Sequence, residues 1–414
     1  MSKAVAIGAG RTLASEAIGR GAAIGFQMLL ANQLGASLFG VVALALAAAA
    51  TLSPLADAGL PNLALQLVSS SPKDDRLVSR LLSLKLVLTP LFIIPLVAWA
   101  VLFPLQGEQT WPLIWAGAFY GFQASSDLMR QILRAREAIR EELLARMLFP
   151  IANLVALFLI WKWKPGPSGA LLALASGPLA LTVAYLAVFP RNILKLETPA
   201  SAKAFAFQHW PSLLQSFAYL LLAGIATRID AFILEAYAGT AHVGRFFATA
   251  NLVLAGMFFG QGLSSYLYPR LHRQTADRGR ALFRAAALQA GLGIALCSGA
   301  VLVGPIVFRV VFRTGSFAGA DGMIPGFALV LLLATMDSLW VSILIGRRKL
   351  WIAALNLIPA ILAKLVLGRL WVPEHAEFGM LWTSIVAYVC SVSMNAFFAI
   401  RLYLQPPTVT DTVD

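Results

Sequence analysis

Charge is what this chain has least of. Only 12% of its 414 residues are Asp, Glu, Lys or Arg, against roughly 25% in an ordinary soluble domain. Cysteine is almost absent: Cys297 and Cys390 both lie in apolar runs, say nothing about disulfides, and read as small packing residues. The four histidines, His209, His242, His272 and His375, fall at the ends of apolar runs or in loops, in no repeated metal or base spacing. No glycine-rich phosphate loop and no Cys/His cluster is present. Together these absences argue against catalysis, which needs a general base within reach of its substrate, and no metal site is expected. The opening "MSKAVAIGAG" lacks the charged start, apolar core and cleavage site of a signal peptide. The first apolar run holds Glu16 and Arg20, so it reads as a helix that stays in place.

What is abundant is apolar surface. Hydrophobic residues make up 59% of the chain, in runs of about 20 residues separated by short charged breaks. That is the pattern of a multi-pass membrane protein. Twelve spans are predicted, centred on 11–33, 39–56, 81–103, 111–131, 144–161, 169–189, 210–235, 244–267, 284–308, 324–345, 350–371 and 378–402. Trp99, Trp111, Trp161, Trp163, Trp210, Trp351 and Trp371 fall near span ends, where an aromatic belt belongs. The net charge of +13 would suggest nucleic acid in a soluble protein. Here the even-numbered breaks are the basic ones, including Arg134/Arg136/Arg140/Arg146 and Arg270/Arg273/Arg278/Arg280/Arg284, whereas "QLGASL" has no charge. Cytoplasmic loops carry that excess of Lys and Arg, so both termini are expected in the cytoplasm and no nucleic-acid partner is expected.

The chain also repeats itself. "LGASLFG" (34–40) and "AGTAHVG" (238–244) both place two glycines five apart at a tight turn, 204 positions from one another. "RLLSLKLVL" (80–88) and "RAAALQAGL" (284–292) keep that separation, and Asp127 and Pro150 find counterparts in Asp337 and Pro359. Each half then holds six spans, so the halves are parallel repeats related by an axis along the membrane normal. The expected fold is all-α, about twelve transmembrane helices in two pseudo-symmetric six-helix lobes, 1–200 and 201–414, around a central cavity.

Two hairpins carry a family resemblance. Leu34-Gly35, Phe39-Gly40 and Asp57-Ala58-Gly59-Leu60 resemble the first hairpin of the polysaccharide transporter branch of the multidrug, oligosaccharidyl-lipid and polysaccharide exporter superfamily. Asp230, Gly239, Val243-Gly244, Phe246, Ala250 and Pro269 are similar to that family's seventh and eighth spans. The resemblance implies helices 1, 2, 7 and 8 lining a central cavity. It also implies a substrate, a polyprenyl-pyrophosphate-linked oligosaccharide moved from the inner to the outer leaflet. Lipid II flippases of the superfamily usually have two additional helices, and multidrug exporters usually carry acidic cation-binding residues. A multidrug or other small-molecule exporter stands as the alternative, and a membrane-embedded glycan-modifying enzyme as the second alternative.

Charge inside the spans marks the candidate sites, because it is costly there. Arg20 lies about 15 Å along the first span, near the midplane, and forms a polar stripe with Glu16 and Gln27. "LLLAGIATRIDAFILEAYAG" holds Arg228 and Asp230 two positions apart, pointing away from each other on a helix. Asp230 continues a small and polar stripe from Ser212, while Arg228 is placed either toward the cavity or toward lipid phosphate. Lys364 sits in the middle of the eleventh span, and Gln261, Ser265 and Tyr268 follow helical spacing on the eighth. The expected substrate contacts are Arg20, Gln27, Arg228, Asp230, Gln261 and Lys364. Glu16, Asp57, Asp127 and Asp337 are the coupling or gating candidates, with Asp57 able to serve only as a cap between Pro54 and Pro61. Asp127, Arg130 and Arg134 share one helix face near the cytoplasmic end of the fourth span. No cofactor is expected, and coupling to H⁺ or Na⁺ leaves no mark in the sequence. Expected partners are the lipid-linked oligosaccharide, membrane lipids and polysaccharide polymerase machinery, and the expected location is the bacterial cytoplasmic (inner) membrane.

Overall fold

The computed structural model describes residues 3–102, 110–161, 166–189, 197–273, 277–313, 315–347 and 349–405; the side chains of residues 3–20 lie outside the described set. Within that set the regular structure is helical. In chain order the helices are α1 (Lys3–Leu52), α2 (Pro54–Asp57), α3 (Leu60–Ser70), α4 (Asp75–Leu102), α5 (Thr110–Ala135), α6 (Ile139–Arg146), α7 (Leu148–Trp161) and α8 (Pro167–Val188). They continue with α9 (Pro199–Gln208), α10 (Trp210–Ala238), α11 (Thr240–Leu254), α12 (Met257–Arg273), α13 (Arg278–Val311), α14 (Ile324–Gly346) and α15 (Leu350–Leu404). Short 3-10 turns at Gly315–Phe317 and Ala320–Met323 lead into α14.

Local chemistry sets the ends of these helices. The Thr198 hydroxyl accepts from the Ser201 amide and the Asp277 carboxylate from the Arg280 amide, each satisfying an orphan donor at a helix start. Proline occupies the first turn of α2, α3, α8, α9 and α14, where its missing N–H is no loss. Two long helices are broken inside. α1 bends at Gly35 (φ 75, ψ 171) and α15 at Ala376 (φ 46, ψ −123). Gly239, between α10 and α11, takes φ 88 and ψ 171. Gly35 and Gly239 therefore share one backbone conformation that a side chain would oppose, 204 positions apart.

Eight helices are long and apolar enough to cross a membrane, or nine if the pair Thr240–Leu254 and Met257–Ser264, bent by 42°, is one span. The kinks at Gly35 and Ala376 divide two of them into separate passes. α5 is long enough but less apolar than these, because it carries Gln123, Ser125, Ser126, Asp127, Arg130 and Arg134. Counting it yields twelve passes among the described residues, in the places the sequence predicted. Their outer faces are apolar: Phe158 is 77% exposed, Phe283 74% and Leu302 73%. Such surface has no place in water and is covered by lipid. The protein is a multi-pass membrane protein.

The chain forms two compact units, residues 1–228 and 229–414, the division falling inside α10. In the first unit, Leu60, Leu63 and Val68 of α3, Val78 and Leu81 of α4, Leu128 and Ile132 of α5 and Tyr185 of α8 form one buried layer. In the second unit, α14 packs against α13 and α15. Phe246 stacks edge-on against Phe327 with ring centroids 5.0 Å apart.

Candidate functional site

Each unit buries ionised or strongly polar side chains, which in lipid must find partners inside the protein. In the first unit they gather where the helix following Gly35 breaks. α2 ends at Asp57 because Ala58 (φ 43) and Gly59 (φ 80) turn left-handed, and α3 restarts at Leu60. The break leaves the Ala56 carbonyl outside the regular helical ladder. Lys85 of α4 fills the gap: its buried Nζ lies 2.9 Å from the Ala56 oxygen and 2.9 Å from Asp57 Oδ1. Asp57 is thus more than a cap for the break. Its partner shows in the sequence only as a lone Lys in an apolar run, with nothing to mark what it binds.

Further along the same unit the polar face of α5 is satisfied in steps. Gln123 Nε2 donates to Asp127 Oδ2 at 3.0 Å and Arg130 Nη2 to Asp127 Oδ1 at 2.7 Å, so the shared face predicted for Asp127 and Arg130 is a closed pair. Arg134 instead leaves the helix and forks onto Glu142 of α6 at 2.6 and 2.9 Å. Glu142 is wholly buried, with Arg146 3.8 Å away. Arg136 reaches Asp75 at 2.9 Å and Arg80 reaches Glu197 at 3.1 Å, tying α4 to α5 and to the start of α9. The Ser201 hydroxyl donates to Glu197 and, with Arg80 beside it, holds that carboxyl below the usual carboxylate range. Burial lowers the pKa of His209, at the foot of α10.

In the second unit the structure brings together Asp230 and Lys364, which the sequence placed as separate substrate contacts. Lys364 Nζ lies 2.8 Å from each Asp230 oxygen, and the Ser384 hydroxyl donates to Asp230 at 3.1 Å. Both residues are almost fully buried. The physical reason is mutual: neither charge is tolerable in lipid alone, and α15 folds back at Ala376 so that Lys364 and Ser384 approach α10 from both of its arms. Asp337 accepts from Asn395 Nδ2 at 2.9 Å, and Asn395 in turn accepts from Asn356 at 2.9 Å. Beside the α15 kink, Glu377 is bound by Arg245 at 3.2 Å and by His242, both on the first turns of α11. Gln289 of α13, with no exposed surface, donates toward the Gly260 and Thr335 carbonyls at 3.0 and 2.7 Å and toward Ser264 and Ser338.

Of the remaining candidates, Gln27 on α1 and Arg228 on α10 are half-buried, and Gln261 on α12 is exposed. The side chains of Glu16 and Arg20, like those of Ser265 and Tyr268, lie outside the described residues. Lys85, Glu142, Gln289 and Glu377 escaped the sequence reading, because single polar letters in apolar or loop sequence do not reveal a partner on another helix. Among the described residues no group of three His, Cys, Asp or Glu side chains could hold a metal ion.

The fold has solved counterparts. A multidrug resistance MATE family transporter of the MOP superfamily, in an inward-facing conformation, superposes with a TM-score of 0.73 at 14% identity over 94% of both chains. The lipid II flippase MurJ, in an inward closed conformation, gives 0.68 at 15% identity over 96% of this chain and 89% of its own. A eukaryotic MATE transporter gives 0.65 at 15% identity over 96% of this chain and 97% of its own. At these identities the likeness establishes the fold. Comparison with curated proteins gives no match. The family profile described as polysaccharide biosynthesis protein matches residues 6–273, nearly two thirds of the sequence. The chain belongs to the polysaccharide biosynthesis protein family.

Proposed function

We propose that this protein is a flippase that carries polyprenyl-pyrophosphate-linked oligosaccharide from the cytoplasmic to the periplasmic leaflet of the bacterial inner membrane, with both termini in the cytoplasm. The observation that carries the reading is the family match over residues 6–273. The fold it shares with a lipid II flippase and with multidrug transporters adds support. On this reading Arg20 and Gln27 hold the pyrophosphate, Arg228 and Gln261 contact headgroup and sugar, and the polyprenyl tail stays in lipid. Asp57, Asp127 and Asp337 serve gating or coupling. Asp230 and Lys364 neutralise each other, so their part in substrate contact comes only through rearrangement of that pair.

Reconstitution tests it. In proteoliposomes loaded with host-derived lipid-linked oligosaccharide, the protein should make the glycan accessible to an added lectin, and empty liposomes should not. A small-molecule exporter is the second reading, favoured by the 0.73 TM-score against the multidrug transporter. Efflux of ethidium with no movement of glycan would establish that reading and reject the first.

A further inference from the structure

The separation of 204 that relates Gly35 to Gly239 carries positions 56, 57 and 85 onto 260, 261 and 289. The letters differ, Ala56, Asp57 and Lys85 against Gly260, Gln261 and Gln289, but the contact between them repeats in atoms. Lys85 Nζ donates to the Ala56 carbonyl at 2.9 Å; Gln289 Nε2 donates to the Gly260 carbonyl at 3.0 Å. In each unit a buried donor from the following long helix reaches the carbonyl of the corresponding residue, in a helix broken shortly before or after it. The breaks are Ala58-Gly59 in the first unit and Ala255-Gly256 in the second.

The two clamps differ in how many helices they join. Gln289 meets oxygens of two helices, Gly260 and Ser264 on α12 and Thr335 and Ser338 on α14, and is wholly buried. Among the described residues the Lys85 ammonium meets α2, through Ala56 and Asp57, and the Asp57 side chain keeps 20% of its surface exposed. A bond shared among three helices moves only if all of them move. A clamp on a four-residue helix that ends in two left-handed residues releases one short segment.

We propose that Lys85 is a positioning residue that sets and releases the bend between α1 and α3, making this break the working hinge of the first unit, while Gln289 holds its counterpart fixed. The inference rests on the transporter reading only for what the hinge serves, not for its existence. Spin labels at Leu38→Cys and Ser70→Cys, on a Cys297→Ser, Cys390→Ser background, report the bend as a distance distribution across the broken helix. The purified full chain in liposomes is compared with two pairs. Lys85→Met with Asp57→Asn removes the clamp without stranding a buried charge. Lys85→Gln with Asp57→Gln installs both residues of the other repeat.

The first pair should broaden the distribution at least twofold and cut turnover of lipid-linked oligosaccharide at least tenfold, with KM unchanged within twofold. The second should restore a single narrow distance. A wild-type distribution in the first pair overturns the proposal, as does a second pair as broad as the first. If the first pair is not recovered from membranes, the second decides alone. If the wild type moves no glycan, the transporter reading fails while the distances still decide the role of Lys85.

Discussion

Asp230 and Lys364 lie 134 positions apart in the chain and 2.8 Å apart in the fold. Removing one partner of a buried ion pair leaves an uncompensated charge and costs about 3–5 kcal/mol, whereas removing both is often close to neutral. Asp230→Asn or Lys364→Met alone should therefore lower the melting temperature and the yield of detergent-solubilised protein, and the double variant should recover most of both. A double variant as unstable as either single one would show that the pair does not set stability. Arg20 is argued differently, because its planar guanidinium suits a phosphate and its charge is permanent. If it binds pyrophosphate, Arg20→Ala should abolish transport at normal protein level and Arg20→Lys should rescue only in part. Full transport by the double variant Glu16→Ala, Arg20→Ala would reduce Arg20 to a structural partner of Glu16. At this scale the sequence could flag Asp230 and Lys364 individually as charges in apolar runs. It could not pair them, because the partner of a membrane charge is chosen by helix packing and not by spacing along the chain. The pair Asp127–Arg130 was legible, since i and i+3 on one helix are neighbours before any tertiary structure forms.

Helices were the most readable level, and the reason is that lipid permits few alternatives to them. The breaks inside them were legible where glycine or proline marks them. Gly35 and the Pro54–Pro61 stretch are examples, and the bend at Ala376, held by Glu377 and its partners on α11, falls in the gap predicted between 371 and 378, three residues after Pro373. Because Gly35 and Gly239 share φ and ψ, alanine should be opposed equally at both. A non-glycine residue forced into a sparsely populated backbone region costs about 1–3 kcal/mol. Gly35→Ala and Gly239→Ala should lower thermal stability by similar amounts. Gly21→Ala and Gly25→Ala, in α1 with no atom of the described residues within 4 Å of an added Cβ, should be neutral or raise it. Unequal losses at Gly35 and Gly239 would mean that packing around the two turns, and not the shared backbone, decides the cost.

On the proposed flippase reading, the governing quantity for the whole molecule is the charge that crosses the membrane. A headgroup carrying roughly two negative charges gains about 2.3 kcal/mol per charge per 100 mV on leaving an inside-negative compartment. At equilibrium that is about three orders of magnitude in leaflet distribution. Valinomycin clamping of a K⁺ gradient in oriented proteoliposomes should therefore raise outward flipping, and reversing the gradient should suppress it. A rate indifferent to potential would mean that the pyrophosphate crosses with its charge compensated. Reporter fusions at Arg140 and Arg278 should read cytoplasm and a fusion at Glu374 periplasm. If Arg140 and Glu374 fell on one side, the parity of the passes between them would be wrong.

The link between Asp230 and Lys364 also dictates a timetable of synthesis. A ribosome adding about 5–20 residues per second needs roughly 7–27 s to make the 134 residues between them. Throughout that interval α10 has been made and Lys364 has not, so the contact that ties α10 to α15 can form only once α15 emerges. Nascent chains arrested before Lys364 should therefore remain crosslinkable to the translocon through α10, and chains arrested after α15 is complete should not.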